Sequence, residues 1–255
     1  MKELWTQFTS RMSELFQAIS DNVAYVAGYL AVIVALFLAA LLLEKVARKK
    51  NHQNEAVFST RKVAVIGMFS ALAAVLMLFE IPMPFAPPFY KLDFSELPVL
   101  IGTFAFGPAA GVMMEFIKIL LKLFIKGTST AFVGELANFA VGCSFILPAS
   151  AMYAFRKNKK SAIFSCILGT LIMTVFGTAF NAVYLLPAFS KLYGIPMDAL
   201  LAMGVKANSL VKESSIVSFA VACVAPLNLI KGTSVSIATL LVYKPLSPIL
   251  KGHNN

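Results

Sequence analysis

The chain has 255 residues, 59% of them hydrophobic and only 13% charged, with a mean hydropathy of +0.81. Soluble domains carry about 25% charged residues, so this is the composition of an all-α integral membrane protein, with length for about six or seven spans of roughly 20 residues and none left for a soluble catalytic domain. No Gly-rich phosphate loop ending in Lys-Ser or Lys-Thr occurs, and the net charge of +10 is gathered in short loops beside apolar segments rather than in a nucleic-acid patch; any ATP-driven work falls to a partner, and nucleic acid is not one.

In chain order, residues 1 to 22 mix Trp5, Phe8, Leu15 and Phe16 with charges and read as an interfacial amphipathic helix. Val23 to Leu43 is a clean span, an uncleaved anchor, ending in a basic loop (Lys45, Arg48, Lys49, Lys50, Arg61, Lys62) that marks the cytoplasmic side. Val63 to Phe79 then leads outward to the loop Glu80 to Glu96. Leu97 to Phe106 is short and broken by Gly107-Pro108. Ala109 to Ile125 follows, then a turn at Gly127 to Thr130. Phe132 to Phe155 returns to a second basic loop (Arg156, Lys157, Lys159, Lys160), and Ala162 to Pro187 goes out again.

An outer segment, Ala188 to Lys212, precedes the 30-residue run Ser214 to Tyr243. As one helix that run measures about 45 Å, more than a roughly 30 Å bilayer core needs. Pro226 inside it predicts a half-buried segment up to Ala225 and a true span from Pro226 to Tyr243. The expected architecture is a six-transmembrane-helix core over residues 56–255, preceded over residues 1–55 by the amphipathic segment and one extra N-terminal transmembrane helix. The expected location is a cell membrane, crossed several times.

Polar residues at depth carry the functional reading. Lys91-Leu92-Asp93-Phe94-Ser95-Glu96 puts charges beside apolar segments, where they are costly and mark a mouth or a binding site. Glu135 and Asn138, Asn181 and Tyr184, and Asn228 and Lys231 are three apart, each pair on one helix face. The topology gathers all three pairs near the outer loop. Amides both donate and accept, which suits a neutral heteroaromatic solute with alternating carbonyl and N–H groups. Phe85, Phe89, Tyr90 and Phe94 offer a lid and stacking faces. Glu115, Lys118, Lys122 and Lys126 form a stripe that reads first as structural ion pairing. Gly67-x-x-x-Ala71 and Ser70-x-x-x-Ala74 form a small-residue stripe suited to close helix approach, either internal or with a membrane partner. Cys143, Cys166 and Cys223 lack metal-ligand spacing and read as buried thiols, and neither His52 nor His253 lies in a span.

The run Lys91-Leu-Asp-Phe-Ser-Glu-Leu-Pro-Val-Leu-Ile-Gly-Thr-Phe-Ala-Phe-Gly-Pro, with Ile125-Lys-Gly-Thr-Ser-Thr, Gly134-Glu-Leu-Ala-Asn-Phe, Phe180-Asn181, Leu185-Leu186-Pro187 and Pro226-Leu-Asn-Leu-Ile-Lys-Gly, resembles the riboflavin-specific substrate-binding (S) component of energy-coupling factor (ECF) transporters. The resemblance spans about residues 60 to 251, so the extra first helix departs from the six-helix form.

It implies a vitamin-capture subunit without enzymatic activity or cofactor, carrying riboflavin as cargo. Its partners would be membrane lipid, a transmembrane coupling protein and two cytoplasmic ATPases. Carried over by motif, Asn228 and Lys231 are the expected ligand contacts, joined by Glu135, Asn138 and Asn181 and then Lys91 and Asp93. Gly67, Ala71 and Ala74 are the expected coupling-protein contact. FMN or another small nutrient, a stand-alone carrier, and a membrane-embedded enzyme using Asp93, Glu115 or Glu135 remain as alternatives.

Overall fold

A computed structural model describes residues 2–21, 23–51, 59–128 and 130–251. The domain boundary expected between residues 55 and 56, together with His52 and His253, lies outside them. Helices α1 (Lys2–Asp21), α2 (Val23–Lys50) and α3 (Thr60–Leu78) lead to a two-stranded antiparallel hairpin, β1 (Ile81–Pro82) and β2 (Lys91–Leu92). Then come α4 (Glu96–Phe106), α5 (Pro108–Lys126), α6 (Val133–Phe155) and α7 (Lys159–Phe180). After α7 follow a π-helical turn (Asn181–Leu185), α8 (Leu186–Tyr193), α9 (Met197–Ala207), α10 (Ile216–Phe219), a second π turn (Ala220–Val224) and α11 (Ala225–Lys251).

Among the described residues four helical stretches are long and apolar enough to cross a bilayer: Val23–Lys50, Val133–Phe155, Lys159–Tyr193 and Ile216–Leu246. The fold is thus that of an all-α membrane protein. Helix α4 falls short, since its 11 residues reach about 16 Å at 1.5 Å each. It turns back into α5 at Gly107, whose φ of 103° is open to glycine and strained for other residues; Pro108 then occupies the first turn of α5, where its missing N–H costs nothing.

The two long outer stretches stay continuous through their prolines. Each π turn ends two residues before one, Pro187 or Pro226, and the widened turn absorbs the ring and the missing N–H. The Ala222 carbonyl, four residues before Pro226, accepts a hydrogen bond from Asn208 Nδ2 at 3.0 Å instead. The break expected at Pro226 is therefore corrected to a change of pitch within one helical run, and the expected outer segment Ala188 to Lys212 is largely helical, as α8 and α9.

Helix α6 packs against α5 and α7, α11 against α7 and α4, and α3 against α4 and α5. The core between them holds Leu100, Phe104, Met114, Phe145, Ile146, Met173 and Val235. Cys143, Cys166 and Cys223 are buried free thiols, as expected.

Helix α2 runs on past Leu43 to Lys50 and is fastened to α5 and α6 rather than loose in lipid. Its outward stripe is Leu30, Val34, Leu38, Leu42 and Val46; Tyr29, Ala40, Glu44 and Ala47 are buried. Tyr29 meets Phe139 edge-on, ring centroids 5.9 Å apart. Glu44 Oε2 accepts from the Ala109 N–H at 3.1 Å, in the first turn of α5, where the helix dipole favours an anion. Arg48 sits 2.8 Å from Glu44 Oε1. Asn51 Nδ2 donates to the Ala154 carbonyl at 2.7 Å, which ties the end of α2 to the end of α6.

Candidate functional site

At the end of the bundle opposite the basic loops lies a cavity of about 560 Å³, inside the roughly 300–1,000 Å³ typical of small-molecule sites. Its wall is assembled from the end of α3 (Met77, Glu80), the hairpin (Phe89, Tyr90, Lys91, Asp93), α4 (Glu96) and the end of α5 (Lys122, Lys126). The start of α6 (Gly134, Ala137, Asn138, Val141, Gly142), the first π turn (Asn181, Leu185) and α11 (Leu227, Asn228, Lys231) complete it, and Phe189, Leu200 and Met203 close the side. Of the ten residues expected to bind ligand, seven line this one space: Asn138, Asn181, Asn228, Lys231, Lys91, Asp93 and Phe89.

A buried chain of charges forms one wall. Lys231 Nζ lies 3.0 Å from Asp93 Oδ2 and 2.7 Å from Glu96 Oε2. Glu96 Oε1 is 3.0 Å from Lys118 Nζ, which is also 2.6 Å from Glu115 Oε2. Ser95 contributes its Oγ to Lys118 at 3.1 Å and its N–H to Asp93 Oδ1 at 2.8 Å. Lys118 and Glu115 are fully buried. Glu115 has its cation close by but no aligned hydrogen bond among the described residues. Buried charges persist only when paired, and here the pairing joins α4, α5, α11 and the loop before α4. Lys231 is therefore no isolated ammonium, because two carboxylates hold it and leave at most one N–H for a ligand.

The three amides are not equivalent. Asn181 is committed within the protein, accepting from Tyr90 Oη at 2.8 Å and donating to the Gly177 carbonyl at 2.8 Å. That bond pins the hairpin to the first π turn and makes Asn181 a fastener of the lid. Asn138 and Asn228 line the cavity with no hydrogen-bond partner among the described residues. Asn228 has its room because residue 177 is glycine: a Cβ there would stand 2.5 Å from Asn228 Nδ2.

Three expected contacts fall elsewhere. Glu135 does not line the cavity; it takes Lys122 Nζ at 3.1 Å, Thr130 Oγ1 at 2.8 Å and Thr128 Oγ1 at 3.0 Å, and so braces the turn before α6. Tyr184 points away and packs on Phe180, ring centroids 5.0 Å apart. Phe85, in the loop of the hairpin, packs against the apolar cluster that holds Leu201, Val211 and Phe219. At the rim, Glu80 Oε2 bridges Lys91 at 2.7 Å and Lys126 at 3.0 Å. Partial burial raises the Glu80 pKa, but the two lysines outweigh it and hold the carboxyl below its ordinary range.

The small-residue stripe is partly outward. Gly67 and Ala71 are exposed on α3, and a Cβ at Gly67 would meet nothing within 4 Å. Ala74 is buried because it lies seven residues from Gly67, nearly two turns of 3.6, on the edge of the face that packs inward; it is withdrawn from the expected docking surface.

Sequence reasoning missed Gly177 and the role of Tyr90 as a fastener, both of which depend on which helix lies opposite. Glu96 and Lys118 stood in noted charged segments, but their pairing across helices has no sequence signal.

Comparison with known proteins gives one consistent answer. Residues 61–243 match the profile described as "ECF transporter, substrate-specific component". The chain is 36% identical over 205 residues to a protein of Staphylococcus aureus (strain TCH60) named riboflavin transporter RibU, covering 80% of this chain and 97% of the relative. It is 33% identical over 189 residues to riboflavin transporter FmnP of Bacillus subtilis (strain 168), covering 74% and 93%. A solved structure described as the S component of a bacterial ECF transporter superposes with a TM-score of 0.58 at 37% identity, covering 75% of this chain and 98% of the other.

Proposed function

This chain belongs to the substrate-specific components of ECF transporters, and on that footing we propose that it captures riboflavin in the cavity beneath the hairpin and delivers it inward. A transmembrane coupling protein and two cytoplasmic ATPases, the partners that membership of the family implies, supply the energy; this sequence holds no phosphate-binding loop of its own. Helices α3, α4, α5, α6, α7 and α11 make the six-helix vitamin-binding domain, and α2 is the additional N-terminal transmembrane helix. The chain itself is not an enzyme, and the flavin is cargo rather than cofactor.

The observation that carries this reading is the pair of unpartnered amides, Asn138 and Asn228, facing one cavity beside the ion-paired Lys231. The pyrimidine edge of a flavin alternates carbonyl and N–H groups, which two amides and one remaining ammonium N–H can match. The flat dimethylbenzene side suits Leu227, Met77 and the aromatic Phe89 and Phe189, and the ribityl hydroxyls suit the polar rim. Carboxylates already occupy Lys231, so that wall favours a neutral ring over an anionic group. The relatives' names favour riboflavin over other nutrients.

Detergent-purified protein titrated with riboflavin will quench the ligand's fluorescence to a saturating, stoichiometric end point. Asn138→Ala and Asn228→Ala will each weaken binding by roughly 5- to 150-fold, the 1–3 kcal/mol lost when a buried polar partner is removed. Undiminished fluorescence with the unaltered protein would overturn the reading. The exposed Gly67 and Ala71 are the proposed coupling-protein contact, so Gly67→Leu and Ala71→Leu will abolish uptake in cells and leave this titration unchanged. Retained uptake in both would remove that surface from the mechanism.

A further inference from the structure

The inner ends of α2 and α6 are brought together by the Asn51 to Ala154 hydrogen bond of 2.7 Å, and Lys50 Nζ stands 5.2 Å above the Phe155 ring. Lys49, Lys50, Arg156, Lys159 and Lys160 are all exposed around that corner. The one carboxylate among the described residues at this end is Glu44, which is buried and held by Arg48 and the Ala109 N–H. The positive charge of the corner is therefore uncompensated within the described protein.

The 22-residue helix α7 also begins here. Asn158 caps the Ser161 N–H, and the rest of the first turn adds the positive end of the helix dipole.

The surface beneath the corner is apolar. Helix α2 packs on α6 from one side and α7 packs on it from the other. Between them Pro148, Ala151 and Phe155 of α6 are half-buried and Met152 is exposed. Leu42 and Val46 of α2 and Phe164 and Ile167 of α7 are exposed on the flanking helices. An amphipathic occupant with an anionic head and hydrocarbon tails matches both parts.

We propose that this corner binds an anionic phospholipid, its headgroup phosphate on Lys49, Lys50 and Arg156 and its acyl chains along α6 between α2 and α7. Basic residues at a membrane surface attract anionic headgroups additively. Here a helix that precedes the matched family region carries two of them to the α6–α7 turn. The inference is independent of the ligand in the outer cavity.

The test is titration of the purified full chain with phosphatidylglycerol, with phosphatidylcholine of the same acyl chains, and with inorganic phosphate, read by native mass spectrometry and thermal unfolding. Phosphatidylglycerol adducts will persist and raise the unfolding midpoint; phosphatidylcholine and inorganic phosphate will do neither. Lys49→Gln, Lys50→Gln and Arg156→Gln combined will lower adduct occupancy by at least about tenfold without altering riboflavin quenching. Lys159→Gln with Lys160→Gln approaches the corner from α7 and will lower it in a chain that keeps the triple's residues, should the triple fail to fold. Lys244→Gln, on α11 at the same membrane face, will leave it unchanged. Equal binding of the two lipids, the full effect from phosphate alone, undiminished occupancy in both corner variants, or an equal loss in Lys244→Gln would each overturn the proposal.

Discussion

The two ends of the bundle handle positive charge in opposite ways. Around the cavity, Lys91 and Lys126 share Glu80, Lys122 meets Glu135, and Lys118 and Lys231 share Glu96. At the other end Lys49, Lys50, Arg156, Lys159 and Lys160 stand in the open, and the one described carboxylate, Glu44, is turned inward to the start of α5. The difference follows from what surrounds each group. A lysine held between helices has no water and must be neutralised by a neighbour. A lysine at the membrane surface keeps its hydration and acts outward. Pairing is thus obligatory for the buried Lys118 and Lys231, while Lys91 and Lys126 pair at the exposed rim and the inner-end cations have no described carboxylate free to meet them.

The sharpest way to break that comparison is to remove the cation at the centre of the buried wall. Lys118→Met leaves Glu96 and Glu115 facing each other in a dry environment and will cost about 3–5 kcal/mol, read as a large fall in the unfolding midpoint in detergent. Adding Glu115→Met will restore part of it, because a paired hole is cheaper than an orphaned charge. A double variant as unstable as the single would mean that the wall is not held by pairing.

Gly177→Ala sharpens the contrast inside the cavity between Asn228 and the fastened Asn181. The new methyl would displace the Asn228 amide, at a cost of about 1–3 kcal/mol from overpacking. Riboflavin affinity, measured by fluorescence quenching, will fall more than the unfolding midpoint does. A change in stability with unaltered affinity would remove Asn228 from the binding wall.

Glu44→Ala probes the one acid among the described residues at the inner end and will cost about 0.5–2 kcal/mol, as for loss of a helix cap. Glu44→Gln keeps an acceptor for the Ala109 N–H and will lose less. Equal losses would show that the charge, through Arg48 and the helix dipole, matters more than the hydrogen bond.

The smallest effect belongs to the rim. Glu80→Gln will change stability by under about 1 kcal/mol, because its partners Lys91 and Lys126 are well exposed to water. The folded carboxyl is held below the ordinary value of 4.5. Its contribution is therefore complete above that value and fades as the pH falls through the lowered one. The variant will flatten that acid limb of the stability profile, and an unchanged limb would assign it to other carboxylates.

Much of the architecture was legible because a bilayer constrains sequence so strongly. Apolar runs, basic loops and the Gly107-Pro108 break placed most of the long helices to within a few residues, since backbone in lipid must be helical, although α2 runs seven residues past its expected end. The three helical pairs at a spacing of three pointed to one end of the bundle, and at least one member of each pair lines the cavity, both members in the case of Asn228 and Lys231. The misses share a cause. Pro226 read as a break because sequence cannot show the π turn that absorbs it, nor the Asn208 amide that satisfies the Ala222 carbonyl. Glu135 and Tyr184 read as ligand contacts because a shared face with Asn138 or Asn181 says nothing of which way each side chain turns.

The sequence by itself determined that this is a helical membrane protein, which ends carry which charge, and which polar side chains stand at depth. Composition and periodicity reflect solvent, and solvent here is the bilayer. Only the tertiary structure decided that Asn181 fastens a lid while Asn138 and Asn228 face open space, and that Lys231 is matched by Asp93 and Glu96. The reason is physical: a hydrogen bond or ion pair between residues 91 or 138 positions apart in the chain depends on helix rotation and depth, and no local pattern of residues records either.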